Sequence, residues 1–215
     1  NDNGERFMCE DTWVQGKSLA INKQPNGEAW SVFDANWPTD LVNGLPYGGG
    51  MFWDSFRPYG SDLELAPEYF KTQIPLYIEQ GMAYEADTIE ELADKLGLPK
   101  ETFTATVDHY NELAAKGEDE DYGKENYRLS TLSEAPFYGV RQAGGYLICT
   151  IDGIQIDDNM HAIDQDFKAI PGLYVIGDMS GNYFSGSYPS LMAGAAAGRS
   201  ATFGRLAGQN AAAGI

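Results

Sequence analysis

The tail of this 215-residue chain carries the feature that most constrains its fold, a short apolar strand followed by a run of very small side chains. The apolar residues 173–176 lead into Gly177 and Asp178, and a helix made mostly of Ala and Gly is predicted after a loop rich in Gly, Ser and Tyr. Small side chains let a backbone approach a flat ligand closely, and a helix N-terminus offers unpaired N–H groups to an anion. The tail therefore predicts a strand, an acid and a small-residue helix around a ligand.

Periodicity and cap residues predict a helical hairpin in the middle of the chain. Thr88 and Glu91 have the spacing of a capping box, and apolar residues then recur at helical spacing. Gly97 is placed to end the first helix and Gly117 to end the second. Residues 1–60, by contrast, are predicted to be rich in loops.

Short β-type runs alternate with turn signals elsewhere in the sequence. Strands are predicted at residues 29–34, 138–141, 146–150 and 153–156. The continuous apolar run 173–176 is typical of a buried parallel strand. Helices and strands together predict an α+β fold.

Charge and composition restrict the kinds of partner. Lys and Arg number 14 against 32 Asp and Glu, a net charge of −18 that repels nucleic acid and anionic lipid. The acidic run 118–121 is predicted to be a solvated loop. Cys9 and Cys149 lack metal-ligand spacing, so no metal site is expected, and no apolar run is long enough to span a membrane. We therefore expect a small molecule as the partner.

Four motifs in order give a specific resemblance. Residues 4–10 read as G-x-R-F-x-x-E, residues 86–93 look like the start of capping-domain helices, residues 136–138 read P-F-Y, and the tail follows. This set resembles the flavoprotein family that contains fumarate reductase, the succinate dehydrogenase flavoprotein and the 3-ketosteroid dehydrogenases. The resemblance implies a mixed helical/β capping domain at 1–135, followed at 136–215 by the C-terminal β/α segment of a Rossmann-like FAD domain.

The same resemblance implies FAD as the cofactor and assigns roles in the tail. Asp178 matches the family acid that holds the ribityl or phosphate region, although a strand-end Asp also caps loops. The segment from Ser190 onward would direct backbone N–H groups at the flavin, although small residues also permit close helix–strand packing. The residues implied to bind the cofactor are Gly177, Asp178, Ser190, Leu191, Gly194 and Ala195.

At the positions where fumarate reductases hold their substrate, this sequence has different residues. The region 146–152 has no histidine, Tyr188 stands where those enzymes have an Arg, and no Arg closely follows Phe33-Asp34. A dicarboxylate without cationic anchors would be costly to desolvate. Tyr188-Pro189 instead resembles the T-Y-P stretch of the ketosteroid dehydrogenases, so Tyr188 is the candidate catalytic residue, as a proton donor or as a hydrogen-bond donor to a carbonyl. A tyrosine packed under the loop is the alternative.

The function implied is hydride transfer between FAD and an activated C=C or C–C bond, with a reduced carrier or redox protein as electron donor. A non-dicarboxylate enoyl substrate is expected. The chain lacks the G-x-G-x-x-G that holds the FAD pyrophosphate. It therefore looks like the C-terminal part of a longer flavoprotein, and we expect it to be inactive alone. A 3-ketosteroid-type dehydrogenase and a non-catalytic capping or binding fragment are the alternatives.

Overall fold

The computed structural model divides the chain into two compact units, Asn1–Gly145 and Tyr146–Ile215. It describes residues 1–12, 14–44, 66–145, 152–184 and 194–215. The strand predicted at 146–150 lies outside these residues. Helices and small sheets occur together, which supports the α+β class.

The described part of the first unit contains five α-helices, two short 3₁₀ turns and three strands. In chain order the α-helices and strands are α1 (Val14–Asn22), β1 (Glu28–Phe33), α2 (Trp37–Gly44), α3 (Ala66–Glu79), β2 (Ala83–Ala86), α4 (Ile89–Leu96), α5 (Lys100–Lys116) and β3 (Phe137–Ala143). The loop-rich prediction for residues 1–60 missed α1 and α2. Pro38 and Asp40 in the first turn of α2 are N-terminal signals in the sequence that favour a helix there.

The strands form an antiparallel sheet with β3 in the centre, in the order β1-β3-β2. Trp30 pairs with Arg141 on one side and Tyr84 with Gly139 on the other. A Cβ at Gly139 would lie 2.8 Å from Cδ1 of Leu96, so glycine at this position lets α4 pack directly on the sheet. Leu92, fully buried on the same helix, lies in the core of this layer.

The predicted helical hairpin is confirmed together with its caps. The Thr88 hydroxyl accepts a hydrogen bond from the Glu91 backbone N–H at 3.1 Å, and the Glu91 carboxylate accepts one from the backbone N–H of Asp87 at 3.3 Å. Gly97 and Gly117 end their helices with φ of 70° and 75°, where a side chain would be strained. Local sequence signals were sufficient here because every cap partner lies within one helical turn.

Asp119 is the exception to the predicted solvated acidic run 118–121, whose other three residues are exposed. Its side chain is fully buried and accepts hydrogen bonds from both terminal nitrogens of Arg6, at 2.8 and 2.7 Å, and from the backbone N–H of Lys124 at 2.9 Å. The Arg6 guanidinium lies between the rings of Tyr110 and Tyr122. The guanidinium holds the pKa of Asp119 well below its ordinary value. The N-terminal segment is thereby fastened to the loop after α5.

Replacing Asp119 with Asn is expected to lower the free energy of unfolding by about 3 kcal/mol, because Arg6 loses a buried charged partner. Because the folded-state pKa is depressed, the stabilising term is complete above about pH 5 and decreases as pH falls through the unfolded value near 3.9. Chemical denaturation at pH 7 and pH 3 measures both effects. Asp121→Asn, at a partly exposed acid paired with exposed His109, is the control; equal losses in the two variants would contradict the account.

The described part of the second unit contains a two-stranded sheet and one long helix. Its elements are β4 (His161–Ile163), β5 (Ala169–Tyr174), the 3₁₀ turn Gly177–Met179 and α6 (Ala195–Ala213). The prediction of a buried parallel strand at 173–176 was wrong, since β5 pairs antiparallel with β4 and Leu173 and Ile176 are 46% and 41% exposed. The short turn between the two strands imposes the antiparallel pairing. The run 153–156 forms single bridges rather than a strand.

The division into units bears on the domain prediction. Strand β3 pairs with β1 and β2 inside the first unit, whereas the predicted boundary stood at residue 135. The roles of capping domain for the first segment and FAD-binding segment for the second stay predictions. The candidate flavin residues of the sequence analysis all belong to the second unit.

Candidate functional site

The turn Gly177–Met179 presents an acid at its surface. Gly177 has φ of 66°, a left-handed conformation that redirects the chain after the extended residue Ile176. The Asp178 side chain that follows is 56% exposed. The turn therefore directs a carboxylate outward, where it can accept hydrogen bonds from a hydroxyl-bearing ligand.

A buried arginine on α6 holds this turn. Arg199 donates to the carbonyl of Gly177 at 2.6 Å, to the carbonyl of Ser180 at 3.3 Å and to Oδ1 of Asp178 at 3.3 Å, with its own side chain only 1% exposed. Its guanidinium also lies 5.1 and 5.2 Å from the ring centroids of Tyr183 and Phe184. One side chain thus joins the acid-bearing turn to the small-residue helix.

The start of α6 is suited to an acceptor-bearing ligand. Gly194 has φ of 81°, and a Cβ there would meet no atom within 4 Å in the described part of the chain. No side chain in that part caps the helix, and its first turn, Ala195-Ala196-Ala197-Gly198, contains no acid. The Gly198 N–H donates to the Gly194 carbonyl at 2.8 Å, and the N–H groups before it lie at the positive end of a 19-residue helix, where they have no partner within the helix.

The structure therefore brings some predicted site residues into one unit and leaves others undescribed. Gly177, Asp178, Gly194 and Ala195 lie on the turn and at the start of α6. The other predicted site residues, Tyr188, Ser190 and Leu191, lie outside the described residues.

Sequence reasoning missed Arg199 altogether. The helix carries two cations, Arg199 and Arg205, among mostly small residues, and the position of Arg199 near the helix start, beside the acid-bearing turn, was the signal that could have found it.

The residues present fit the ribityl chain and the ring of a flavin, the two parts for which this unit offers an acceptor and donors. A hydroxyl-rich chain needs an outward carboxylate, which Asp178 supplies, and a flat anionic ring needs unhindered N–H donors, which the first turn of α6 supplies. Glycines at 177 and 194 leave room for close approach. The described residues contain no group of three His, Cys, Asp or Glu able to bind a metal ion.

His161, the buried histidine of this unit, has a structural role. Its Nδ1 lies 3.2 Å from Oδ2 of Asp157 and its Nε2 lies 3.1 Å from the carbonyl oxygen of Ile215. Its ring packs on Tyr174 with centroids 4.6 Å apart. These contacts hold the end of α6 against the β4–β5 hairpin.

A family profile described as "FAD binding domain" matches residues 1–191. The chain therefore belongs to this FAD-binding family, and the prediction of FAD as the cofactor is confirmed at the level of the family. No helix within the described ranges is both long enough and apolar enough to cross a membrane.

Known relatives confirm the resemblance drawn from the four motifs. The vinyl phenol reductase of Lactiplantibacillus plantarum is 28% identical over 99% of the chain and 42% of its own length. The 3-oxosteroid 1-dehydrogenase of Mycobacterium tuberculosis is 36% identical over 61% of the chain and 25% of its own length. A flavocytochrome c3 fumarate reductase in the open conformation matches with a TM-score of 0.57 at 28% identity, over 99% of the chain and 31% of its own. The chain spans less than half the length of each.

Replacing Arg199 with Met is expected to lower the free energy of unfolding by about 2–3 kcal/mol, because two carbonyls and a carboxylate lose a charged donor. Arg205→Met is the matched control, since Arg205 is exposed on the same helix and its described hydrogen bond is to Gln209 at 3.2 Å. Urea denaturation of both variants gives the difference. Equal stability of the two variants would show that Arg199 does not hold the turn.

Proposed function

We propose that the protein containing this chain is an FAD-dependent oxidoreductase that reduces the activated C=C bond of a substrate other than a dicarboxylate. The family match over residues 1–191 carries the cofactor. The outward carboxylate of Asp178, held by Arg199 beside a small-residue helix, supports a flavin site in the second unit. The chain supplies part of that site, and its relatives are more than twice as long.

Each residue of the site has a task in this proposal. Asp178 accepts hydrogen bonds from hydroxyls of the ribityl chain, and Gly177 lets the backbone approach. The backbone N–H groups at Gly194 and Ala195, with those of Ser190 and Leu191, donate to the pyrimidine edge of the ring. When bound, FAD supplies hydride transfer to or from carbon. Tyr188 donates the proton or a hydrogen bond to a substrate carbonyl.

The proposed substrate class follows from the absence of the cationic and histidine side chains that bind substrate carboxylates in fumarate reductases. The sequence has Tyr188 in place of an arginine and no histidine in residues 146–152, so two carboxylates would be desolvated without partners. A vinyl phenol reductase, whose named substrate carries no carboxylate, is similar over nearly the whole chain. We therefore propose an aromatic or neutral enoyl compound, reduced at the expense of a reduced carrier or redox protein.

A 3-ketosteroid-type dehydrogenase is the second candidate. The 36% identity to a 3-oxosteroid 1-dehydrogenase and the Tyr188-Pro189 pair favour it. The two candidates differ in direction, because the dehydrogenase passes electrons from substrate to an oxidised acceptor. A purified full-length protein that reduces an artificial acceptor with a 3-oxosteroid, but is not reoxidised by an arylalkene, would favour this second candidate.

A third candidate is a non-catalytic capping or binding fragment. The 215-residue chain lacks the pyrophosphate-binding motif, so we expect it to bind FAD weakly and to be inactive alone. Titration of FAD into the isolated chain tests this expectation. Tight stoichiometric binding would contradict it.

In the full-length protein, Asp178→Ala is expected to weaken FAD binding at least tenfold, since a charged hydrogen bond contributes about 1.5 kcal/mol or more. Asp166→Ala, at an exposed acid in the β4–β5 turn, is the control. Flavin fluorescence quenching measures both affinities. Unchanged affinity in Asp178→Ala would exclude this residue from the site.

Reoxidation of the reduced flavin by 4-vinylphenol and by fumarate then tests the substrate class. Faster reoxidation by 4-vinylphenol is expected, whereas faster reoxidation by fumarate would overturn the proposed class.

A further inference from the structure

The first unit encloses a cavity of about 580 Å³ that the flavin proposal does not use. It lies among the N-terminal segment, α1, β1 and α5. The volume falls within the range of small-molecule sites. Aromatic side chains line a large part of it, namely Phe7, Trp30, Phe33, Trp37, Phe103 and Tyr110. Such walls favour a flat apolar group.

Most charged side chains at the cavity already have partners. Arg6 pairs with Glu10 at 2.8 Å and with buried Asp119. Lys124 donates to the Tyr110 hydroxyl at 2.8 Å and lies 3.6 Å from Glu10. Arg6 and Lys124 are therefore neutralised within the protein.

Asp34, the buried acid at the cavity, is likewise satisfied. It is 2% exposed and accepts hydrogen bonds from three backbone N–H groups, those of Asn36, Ser133 and Glu134, at 2.9–3.0 Å. A carboxylate held by three backbone donors needs no further cation. Asp34 therefore needs none of the cations that line the cavity.

Two other cations line the cavity: the N-terminal ammonium of Asn1, which donates to the Glu5 carbonyl at 3.0 Å, and Lys17 on α1. Lys17 makes no hydrogen bond or ion pair with any residue that the structure describes, and burial lowers its pKa.

The acids that act on Lys17, Asp11 and Glu10, already have partners. Asp11 pairs with Arg128 at 3.1 Å and Glu10 with Arg6 at 2.8 Å. A half-buried ammonium without an acceptor is costly and favours an incoming anion.

We propose that this cavity binds a planar aromatic monocarboxylate, with the carboxylate on the Lys17 ammonium and the ring against the aromatic walls. A single ammonium matches a single carboxylate, whereas a phosphate or a dicarboxylate would need further donors that are already engaged by Glu10, Asp119 and Tyr110. All the groups involved belong to residues 1–145, so the proposal does not depend on the flavin site.

Calorimetric titration of the 215-residue chain with trans-cinnamate tests the proposal. We expect saturable one-to-one binding that weakens at least tenfold in Lys17→Gln and is unchanged in Lys23→Gln, where an exposed lysine outside the cavity loses the same charge. Trans-cinnamide, which has the same shape without the charge, should bind at least tenfold more weakly than trans-cinnamate. Absence of cinnamate binding at millimolar concentration, or equal affinity in Lys17→Gln and the wild-type chain, would overturn the proposal.

Two further readouts separate binding from a structural role of Lys17. Because only the ammonium pairs with a carboxylate, affinity should fall as pH rises through the lowered lysine pKa. Lys17→Met should raise the melting temperature while abolishing binding, since it removes an unpaired, partly desolvated charge. A melting temperature lowered in Lys17→Met, with binding retained, would show that Lys17 supports the fold rather than a ligand.

Discussion

The guanidinium of Arg199 is the contact on which the candidate flavin site depends. It is almost wholly buried, and its two terminal nitrogens donate to two backbone carbonyls and a carboxylate, which offset the cost of burying the charge. Those acceptors all lie in the turn around Asp178, 21 residues earlier in the chain. Because buried Arg199 needs these acceptors, it fixes the position of Asp178 relative to the small-residue helix.

In the first unit, too, an arginine joins two segments of the chain. Arg6 and Asp119 lie 113 residues apart and form a bidentate pair whose carboxylate is fully buried. The pair joins the motif at the start of the chain to the loop after α5. In each unit a planar, permanently charged side chain thus links segments that are distant in sequence. The family motif G-x-R-F therefore has a structural reason in this chain: its arginine fastens the N-terminal segment.

What the sequence could predict depended on how local the determinants were. The helical hairpin was predictable because Thr88, Glu91 and Gly97 act within a helical turn of their partners. The burial of Asp119 and the role of Arg199 were not, because their partners are set by tertiary structure. The apolar run at 173–176 misled for a related reason, since hydrophobicity does not say whether another part of a protein covers a strand.

The prediction of the cofactor and the prediction of the substrate rest on evidence of different strength. The cofactor class follows from motifs spread along the chain and from a family match over 191 of 215 residues. The substrate class rests on the absence of cationic anchors and on the presence of aromatic and tyrosine side chains, which are weaker constraints.

Hydrogen exchange of the full-length protein with and without FAD tests the central claim most directly. The account predicts slower exchange on FAD binding at the Gly177–Met179 turn and at the first turn of α6, with little change in the helical hairpin α4–α5. Unchanged exchange at both of those turns when FAD is bound would contradict the claim that this part of the chain holds the flavin.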